Sequence, residues 1–369
     1  MYIELHAIQT FGPSNLNRDD TGNPKDSLFG GVRRARVSSQ CAKRAIRKSH
    51  VFAQEIQVPP GTRTKTLVDQ VARRLMAAGM DEEEANAGAE QVVGAVFASA
   101  DKKSAKKTNV LVFISEDEIN LLTEYVLQAR EQGSFPGNMA KDLTKRLKDR
   151  SLAPDIALFG RMLAENPDLN VDAACQVAHA LSTHEVNTAE FDYFTAVDDL
   201  SPGDETGAGM LGLVAYNSAT YYRCVRIHWE QLLNNLHGDV DLALNTLSGF
   251  MKAFALVVPS GMQNSFVNQH APDFLLAVVR YDNNGQSLDV AFEKPVRARG
   301  GSGFAEESVK ALATYWDQVE SVFRLNGVVV SALNPRQFEL PSEELRQAVQ
   351  PRLLDWVSVI TDAVSRETA

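Results

Sequence analysis

The chain is poor in cysteine, with only Cys41, Cys175 and Cys224 in 369 residues and no two of them close together. A disulfide framework and a Cys-paired metal site are therefore excluded, and three isolated thiols suit burial in a reducing cytoplasm. Long apolar runs are also missing. No stretch approaches the ~18 residues that cross a bilayer. The opening MYIELHAIQT carries Glu4 and no basic start, so no secretory leader is expected. Positive charge is in deficit, at 37 Lys+Arg against 47 Asp+Glu, for a formal net charge of −10. As a chain total, that figure argues weakly against nucleic acid. What is present is ordinary for a globular protein: 44% hydrophobic and 23% charged residues, which exclude disorder and collagen. At ~150 residues per domain the length suggests two to three domains.

The charge is unevenly placed. Residues 33–48 read RRARVSSQCAKRAIRK and hold Arg33, Arg34, Arg36, Lys43, Arg44, Arg47 and Lys48 with no acidic residue. A polyanion feels such a patch within a Debye length, roughly 8 Å at physiological salt, rather than the chain total. A helix starting near Ser39 places Gln40, Lys43, Arg44, Arg47 and Lys48 on one face. Like charges on one stripe repel, and an anion offsets that cost. Ser38 and Ser39 can cap the helix, whose free N–H groups favour a phosphate. The plainer reading is a solvated basic face.

Residues 2–9 alternate as a strand. The loop FGPSNLNRDDTGNPKDSLFGG follows, bringing Asn17, Arg18 and Lys25 towards the basic helix, with Gly30 and Gly31 permitting close backbone approach. From about 60 to 185 the pattern is helical, over 62–79, 82–99, 141–150 and 171–181. Ser115 and Glu118 form a capping-box pattern, and NVLVFI at 109–114 is the one strand-like break. After 190, strands return around the Gly-rich stretch SPGDETGAGMLG, which reads as the tip of a long hairpin. Further strands are expected at 274–281 and 288–292. A helix over 308–325 ends before Gly327, and the last helix is interrupted at Pro351.

Other candidate sites have plainer explanations. Gly207, Gly209 and Gly212 match G-x-G-x-x-G, but no apolar strand precedes them and no helix follows, so a hairpin tip is expected rather than a dinucleotide site. His179 and His184 are five apart, which does not suit two ligands on one helical face. Asp19, Asp20 and Asp26 could bind Mg²⁺ for phosphodiester hydrolysis, or could orient Arg18 and satisfy turn amides. Asp198 and Asp199 read as turn residues at the hairpin entry. By periodicity, DIALFGRM gives a core Met162 beside a surface Arg161. Gln263 and Asn264 read as a polar loop between strands.

Five strings together are more specific than any one: NRDDTGNPKD at 17–26, FGGVRRARVSSQCAKRAIRK at 29–48, DIALFGRM at 155–162, FTAVDDL at 194–200 and YNSATYYR at 216–223. In this order and spacing the chain resembles, over residues 2–330, the crRNA-binding backbone subunit of Cascade, the type I-E CRISPR interference complex. The resemblance implies an α+β fold: an RRM-like (ferredoxin-like) palm, a helical fingers insertion and a protruding β-hairpin thumb. Boundaries follow at 1–59 and 219–369 for the palm, 60–188 for the fingers and 189–218 for the thumb. It implies RNA contacts at Asn17, Arg18, Lys25, Ser39, Gln40, Lys43, Arg44 and Arg47. Arg33 or Arg34 would stand in for a basic residue that relatives carry where this chain has Val32. Met162, beside Arg161, falls where the family sets an apolar side chain against the kinked RNA backbone, and Thr195 falls at the thumb base. Gln263 and Asn264 follow Met262, where relatives tend to have lysine.

The implied partners are crRNA, a target DNA strand reached through the guide, copies of the chain itself and other Cascade subunits, in the cytoplasm, with no membrane and no cofactor. Phosphate contacts hold a strand without reading its bases, which suits a guide of variable sequence. On this reading the subunit is not an enzyme. The other readings are a metal-dependent ribonuclease using Asp19, Asp20 or Asp26, and a DNA-binding structural protein without guide RNA.

Overall fold

The structure, a computed structural model, describes the chain except for residues 98, 102–103, 151–152, 187–188, 197–209, 282–284, 302 and 369. In chain order the N-terminal elements are β1 (Tyr2–Ser14), β2 (Asp26–Phe29), β3 (Val32–Val37), α1 (Ser39–Arg47) and α2 (His50–Ile56). Then come β4 (Thr62–Thr64), α3 (Leu67–Ala77), α4 (Glu82–Val96), β5 (Ala100–Asp101), β6 (Ser104–Thr108), β7 (Val112–Ile114), α5 (Glu116–Gln132), α6 (Met139–Lys148) and α7 (Pro154–Phe159). The middle of the chain forms β8 (Cys175–Val177), β9 (Ala180–Ser182), β10 (Glu190–Ala196), β11 (Met210–His228), α8 (Trp229–Asn235), α9 (Val240–Leu256) and α10 (Gln263–Phe266). The C-terminal part is β12 (Phe274–Arg280), α11 (Ala305–Phe323), β13 (Val328–Leu333), α12 (Glu343–Gln347) and α13 (Leu353–Thr368). This is the expected α+β class.

Two compact units divide the chain. One comprises Met1–Phe52, Val177–Arg226 and Phe250–Ala369; the other comprises Ala53–Gln176 and Ile227–Gly249. Residues 227–249 thus fall with the helical unit, whereas the sequence reading places them in the palm.

The first unit is built on a sheet of order β13-β12-β1-β11-β9-β3-β2, antiparallel in each registered pair, with β10 pairing β11 off that path. Every residue of β12 (FLLAVVR) is buried, as a continuous apolar run in a central strand requires. Phe274, Leu276 and Val278 pack with Trp316, Leu312 and Leu345 in one hydrophobic cluster. Phe11, Leu16, Ala35, Val37, Ala180 and Tyr221 form another. Arg280 ties the layers by ion pairs, its Nε 2.9 Å from Glu4 and its terminal nitrogens on Glu320, while Arg324 joins Glu320 to Glu344.

Gly30 is required by its backbone. Its φ is +60°, and a Cβ there would lie 1.8 Å from the Glu293 carbonyl oxygen, so the β2–β3 turn closes directly onto that backbone. Gly212, last of the three spaced glycines, lies beneath the exposed Phe194 ring on the neighbouring strand, where the missing side chain lets the ring rest. Gly207, Gly209, Asp198 and Asp199 lie outside the described residues.

The second unit packs α3, α4, α5 and α6 around Leu67, Val71, Leu75, Val92, Val96, Leu122, Tyr125 and Leu143. The capping box at α5 is complete: the Glu118 amide donates to Ser115 Oγ and the Ser115 amide to Glu118 Oε2. Asp81 caps α4, and Glu82, Glu83 and Glu84 complement the positive end of its dipole.

Three expected elements differ. Residues 171–181 are not helical: Val171 bridges to Arg161, and the Ala178 amide donates to the Cys224 carbonyl. The helix expected from residue 62 begins at Leu67, because 62–64 pair with β7. Residues 289–292 form a 3-10 turn rather than a strand, since the Tyr222 hydroxyl takes the Leu288 amide and Ser287 bonds Asp289.

Candidate nucleic-acid interface

The sheet-bearing unit holds most of the sequence-derived site around α1. Ser38 is extended and its Oγ accepts from the Cys41 amide, so the helix starts where the serine pair predicts. The Ser38 amide in turn donates to Asn17 Oδ1 at 2.9 Å, and the Lys25 amide donates to the Asn17 carbonyl. Asn17 thus fastens the polar loop to the helix cap and fixes Lys25 beside it. Asn15, buried beneath, bonds the carbonyls of Gly22 and Ala215 and anchors the loop from inside.

Within the loop, Asp19 Oδ1 accepts from the Thr21 and Asn23 amides and from the Thr21 hydroxyl. These bonds, led by the Thr21 hydroxyl, hold its pKa below the usual carboxylate value. Asp26 pairs with Arg33. Two of the three candidate metal-binding carboxylates are therefore engaged within the fold, and Asp20 is exposed. No group of three or more His, Cys, Asp or Glu suited to a metal occurs among the described residues.

A cleft of about 530 Å³ opens between the loop and the helix, lined among others by Asn17, Arg18, Asp19, Arg44 and Ser260. Gly261 lets the 259–262 turn press on this loop: a Cβ there would lie 2.5 Å from the Leu16 carbonyl. The Arg18 guanidinium rests 3.7 Å from Met262 Sδ, which places its positive charge beside the 259–262 turn. Arg18, Lys25, Arg44 and Lys48 form no ion pair with any described carboxylate, and Gln40, Arg44 and Lys48 are exposed along α1. Lys43 is half-buried on the same helix. Ser39 lies within the first turn, largely buried, with its hydroxyl donating to Gln40 Oε1.

Several predicted contacts are placed otherwise. Arg47 is only 5% exposed, because Ile46 and Arg47 form the inner face of α1, so the basic stripe is shorter than helical spacing suggests. Arg34 is fully buried. Its guanidinium donates to the carbonyls of Phe29, Ser182, Phe292 and Glu293, and it lies over the Phe29 ring. That side chain stitches the turn to its neighbours and offers nothing at the surface, which corrects its place among the candidate RNA ligands. Arg33 is exposed but paired with Asp26. Gln263 is spent on its own loop, donating to the Pro259 carbonyl and accepting from the Asn268 amide, while Asn264 is exposed. Thr195 is exposed on β10 opposite Leu211, among the exposed Phe191, Tyr193, Phe194 and Leu213.

In the helical unit, the expectation for residues 161 and 162 is inverted. Arg161 is 7% exposed; its Nη1 lies 2.7 Å from Glu118 Oε1, and it also bonds the carbonyls of Leu169 and Phe113. Arg161 is therefore a structural tie to the capping box of α5 rather than an accessible contact. Met162 is 85% exposed, far from the core position that periodicity gives it. Gly160, with φ +76° and the Val171 carbonyl 2.8 Å from where a Cβ would be, turns the chain so that consecutive side chains point in and out.

No helix among the described residues is long and apolar enough to cross a membrane. No curated protein matches the chain. Two solved structures align over 98% of this chain and 100% of their own. One, titled "CRISPR RNA-guided surveillance complex, pre-nicking", has 30% identity and a TM-score of 0.85. The other, titled "CRISPR RNA-guided surveillance complex", has 26% identity and a TM-score of 0.76. The sequence profile of the CT1975-like proteins matches residues 3–357, nearly the whole length, and the chain belongs to that family.

Proposed function

We propose that the chain is a non-catalytic backbone subunit that holds guide crRNA by its phosphates and oligomerises along it, in a DNA-targeting CRISPR complex of the Cascade type I-E. The observation that carries this reading is the group of cations around the cleft between the 15–25 loop and α1. Arg18 and Arg44 line a polar cleft together with Asp19 and Asp20, Lys25 stands close enough to act on Cys41 in its wall, and none of the three cations forms an ion pair with a described carboxylate. Cations left unpaired on a chain with ten surplus negative charges keep their field for an external anion. Side chains and amides of this kind position a strand while leaving base edges free. The likeness to subunits of RNA-guided surveillance complexes supports the choice of RNA. The exposed aromatic and aliphatic side chains of β10 and β11 suit contact with a neighbouring copy.

The test is binding of the full chain to single-stranded RNAs of unrelated sequence. Lys43→Ala with Arg44→Ala weakens all of them alike; a loss confined to particular sequences overturns backbone-only contact. Incubation with complementary RNA and Mg²⁺ tests the absence of catalysis. Cleavage abolished by Asp20→Ala would establish the ribonuclease reading instead.

A further inference from the structure

The basic segment contains one arginine that neither the helix face nor the buried ties account for. Arg36 lies on β3 opposite Leu181 of β9, and its amide donates to the Lys25 carbonyl at 2.9 Å. Its neighbours Ala35 and Val37 turn into the hydrophobic cluster with Phe11, Leu16 and Ala180. By strand alternation Arg36 therefore faces the other side of the sheet. Lys25 stands opposite Arg36 on the β2 side. His179, exposed, immediately precedes β9 on the other.

Two independent observations mark this face. The Arg36 Nε is enclosed and finds no hydrogen-bond acceptor in the chain. Such an orphaned donor is rare, and burying it is costly. Other enclosed arginines of the same unit have theirs: Arg34 has four carbonyls, Arg280 has Glu4 and Glu320, and Arg223 has Gln9 and the Phe254 carbonyl. The second observation is electrostatic. The His179 imidazole is held below its ordinary pKa, first by partial burial and then by the positive charges of Arg36 and Lys25, with no carboxylate among the causes. Lys25 also acts on the Cys41 thiol of α1, alongside Arg44, so its charge spans the helix face and the strand face.

We propose that Lys25, Arg36 and His179 form a second phosphate subsite, continuous through Lys25 with the α1 cleft, that takes the next phosphodiester of the same RNA strand. This rests on the RNA-binding reading above. A phosphate on this face meets the outer part of the Arg36 guanidinium, whose charge no described carboxylate pairs. A bound phosphate also favours the protonated imidazole, so His179 takes up a proton as the strand seats.

The test uses the full chain and a fluorescent single-stranded RNA of arbitrary sequence, titrated across a salt series. Arg36→Gln is expected to weaken binding about tenfold and to shrink the slope of log K against log salt by about 0.7, the share of one phosphate contact. Arg36→Lys restores the slope in part. Because the Arg36 side chain makes no hydrogen bond to a described acceptor, Arg36→Gln melts no lower than the unaltered chain, which a purely structural arginine would not allow. His179→Gln, at an exposed position, tests the site even if Arg36→Gln fails to fold; it removes the gain in affinity between pH 7.5 and pH 5.5. If both variants keep the original affinity and slope while Lys43→Ala with Arg44→Ala loses them, the subsite is wrong and the RNA reading stands. If the unaltered chain shows no salt-dependent RNA binding, the RNA reading itself fails. If Arg36→Gln abolishes association between copies and leaves RNA affinity intact, the face binds an acidic protein segment and the proposal is overturned.

Discussion

Arg161 and Met162 are adjacent in the chain and opposite in fate: the guanidinium is enclosed on Glu118, and the thioether is 85% exposed. Arg161→Ala leaves Glu118 buried without its cation, an error that costs about 3–5 kcal/mol. Met162→Ala changes stability by no more than ~0.5 kcal/mol, as at other exposed positions. Thermal denaturation of the two variants side by side checks the contrast. On the RNA reading, only Met162→Ala alters the bound strand while leaving the fold intact.

Arg34 offers a second contrast, within the basic segment. Arg34→Ala strips four carbonyls of their donor and lowers stability by ~3 kcal/mol or more, given about 1–3 kcal/mol for each buried group left unpaired. On the RNA reading, protein that remains folded keeps the salt dependence of RNA binding unchanged. Chemical denaturation together with a salt titration separates this outcome from that of Arg44→Ala, which is expected to leave the fold and reduce the slope.

The paired glycines of the β2–β3 turn are unequal. Gly30→Ala drives a methyl group into the Glu293 carbonyl and destabilises by more than ~2 kcal/mol; Gly31→Ala meets nothing within 4 Å and bears only the left-handed backbone penalty of about 1–2 kcal/mol. Melting temperatures of the two variants should differ accordingly.

His6 makes the sheet sensitive to alkali. It is buried beside Tyr222, whose hydroxyl is 2.8 Å from Nδ1, and Glu4, whose carboxylate is 3.5 Å from Nε2. Burial alone would lower its pKa, but the Cys224 sulfur and the Glu4 carboxylate outweigh it and raise the value to about 9. Because the folded value lies above the unfolded one of ~6.5, the stabilisation is full below pH 6.5 and is lost as pH rises through about 9. The melting temperature should fall between pH 7 and 9.5, and His6→Gln should flatten that decline.

Much of this was legible because its causes are local. The Ser38 cap, the Ser115–Glu118 box and the break at Pro351 depend on neighbours within a few residues. The helix expected over 171–181 was lost because its amides pair with strands that no local pattern reveals. Arg34, Arg47 and Arg161 look alike in sequence to the exposed Arg18 and Arg44. Only the partners brought by distant segments, such as Phe292 for Arg34 and Glu118 for Arg161, decide which charges face inward. Arg36 and His179 each stand out in the sequence, but not as neighbours: the β3–β9 register alone brings them together.

The placement of β1 has a consequence for synthesis. Residues 2–8 pair with 274–280, and β1 lies between β12 and β11 in the middle of the sheet. Residues 2–8 therefore cannot complete their pairing until residues 274–280 have been made, and stay exposed meanwhile. The helical core from Leu67 to Leu169 draws on nearer neighbours and can close much earlier. The helical core would then close first, with the sheet completed only once β12 and β13 have been made.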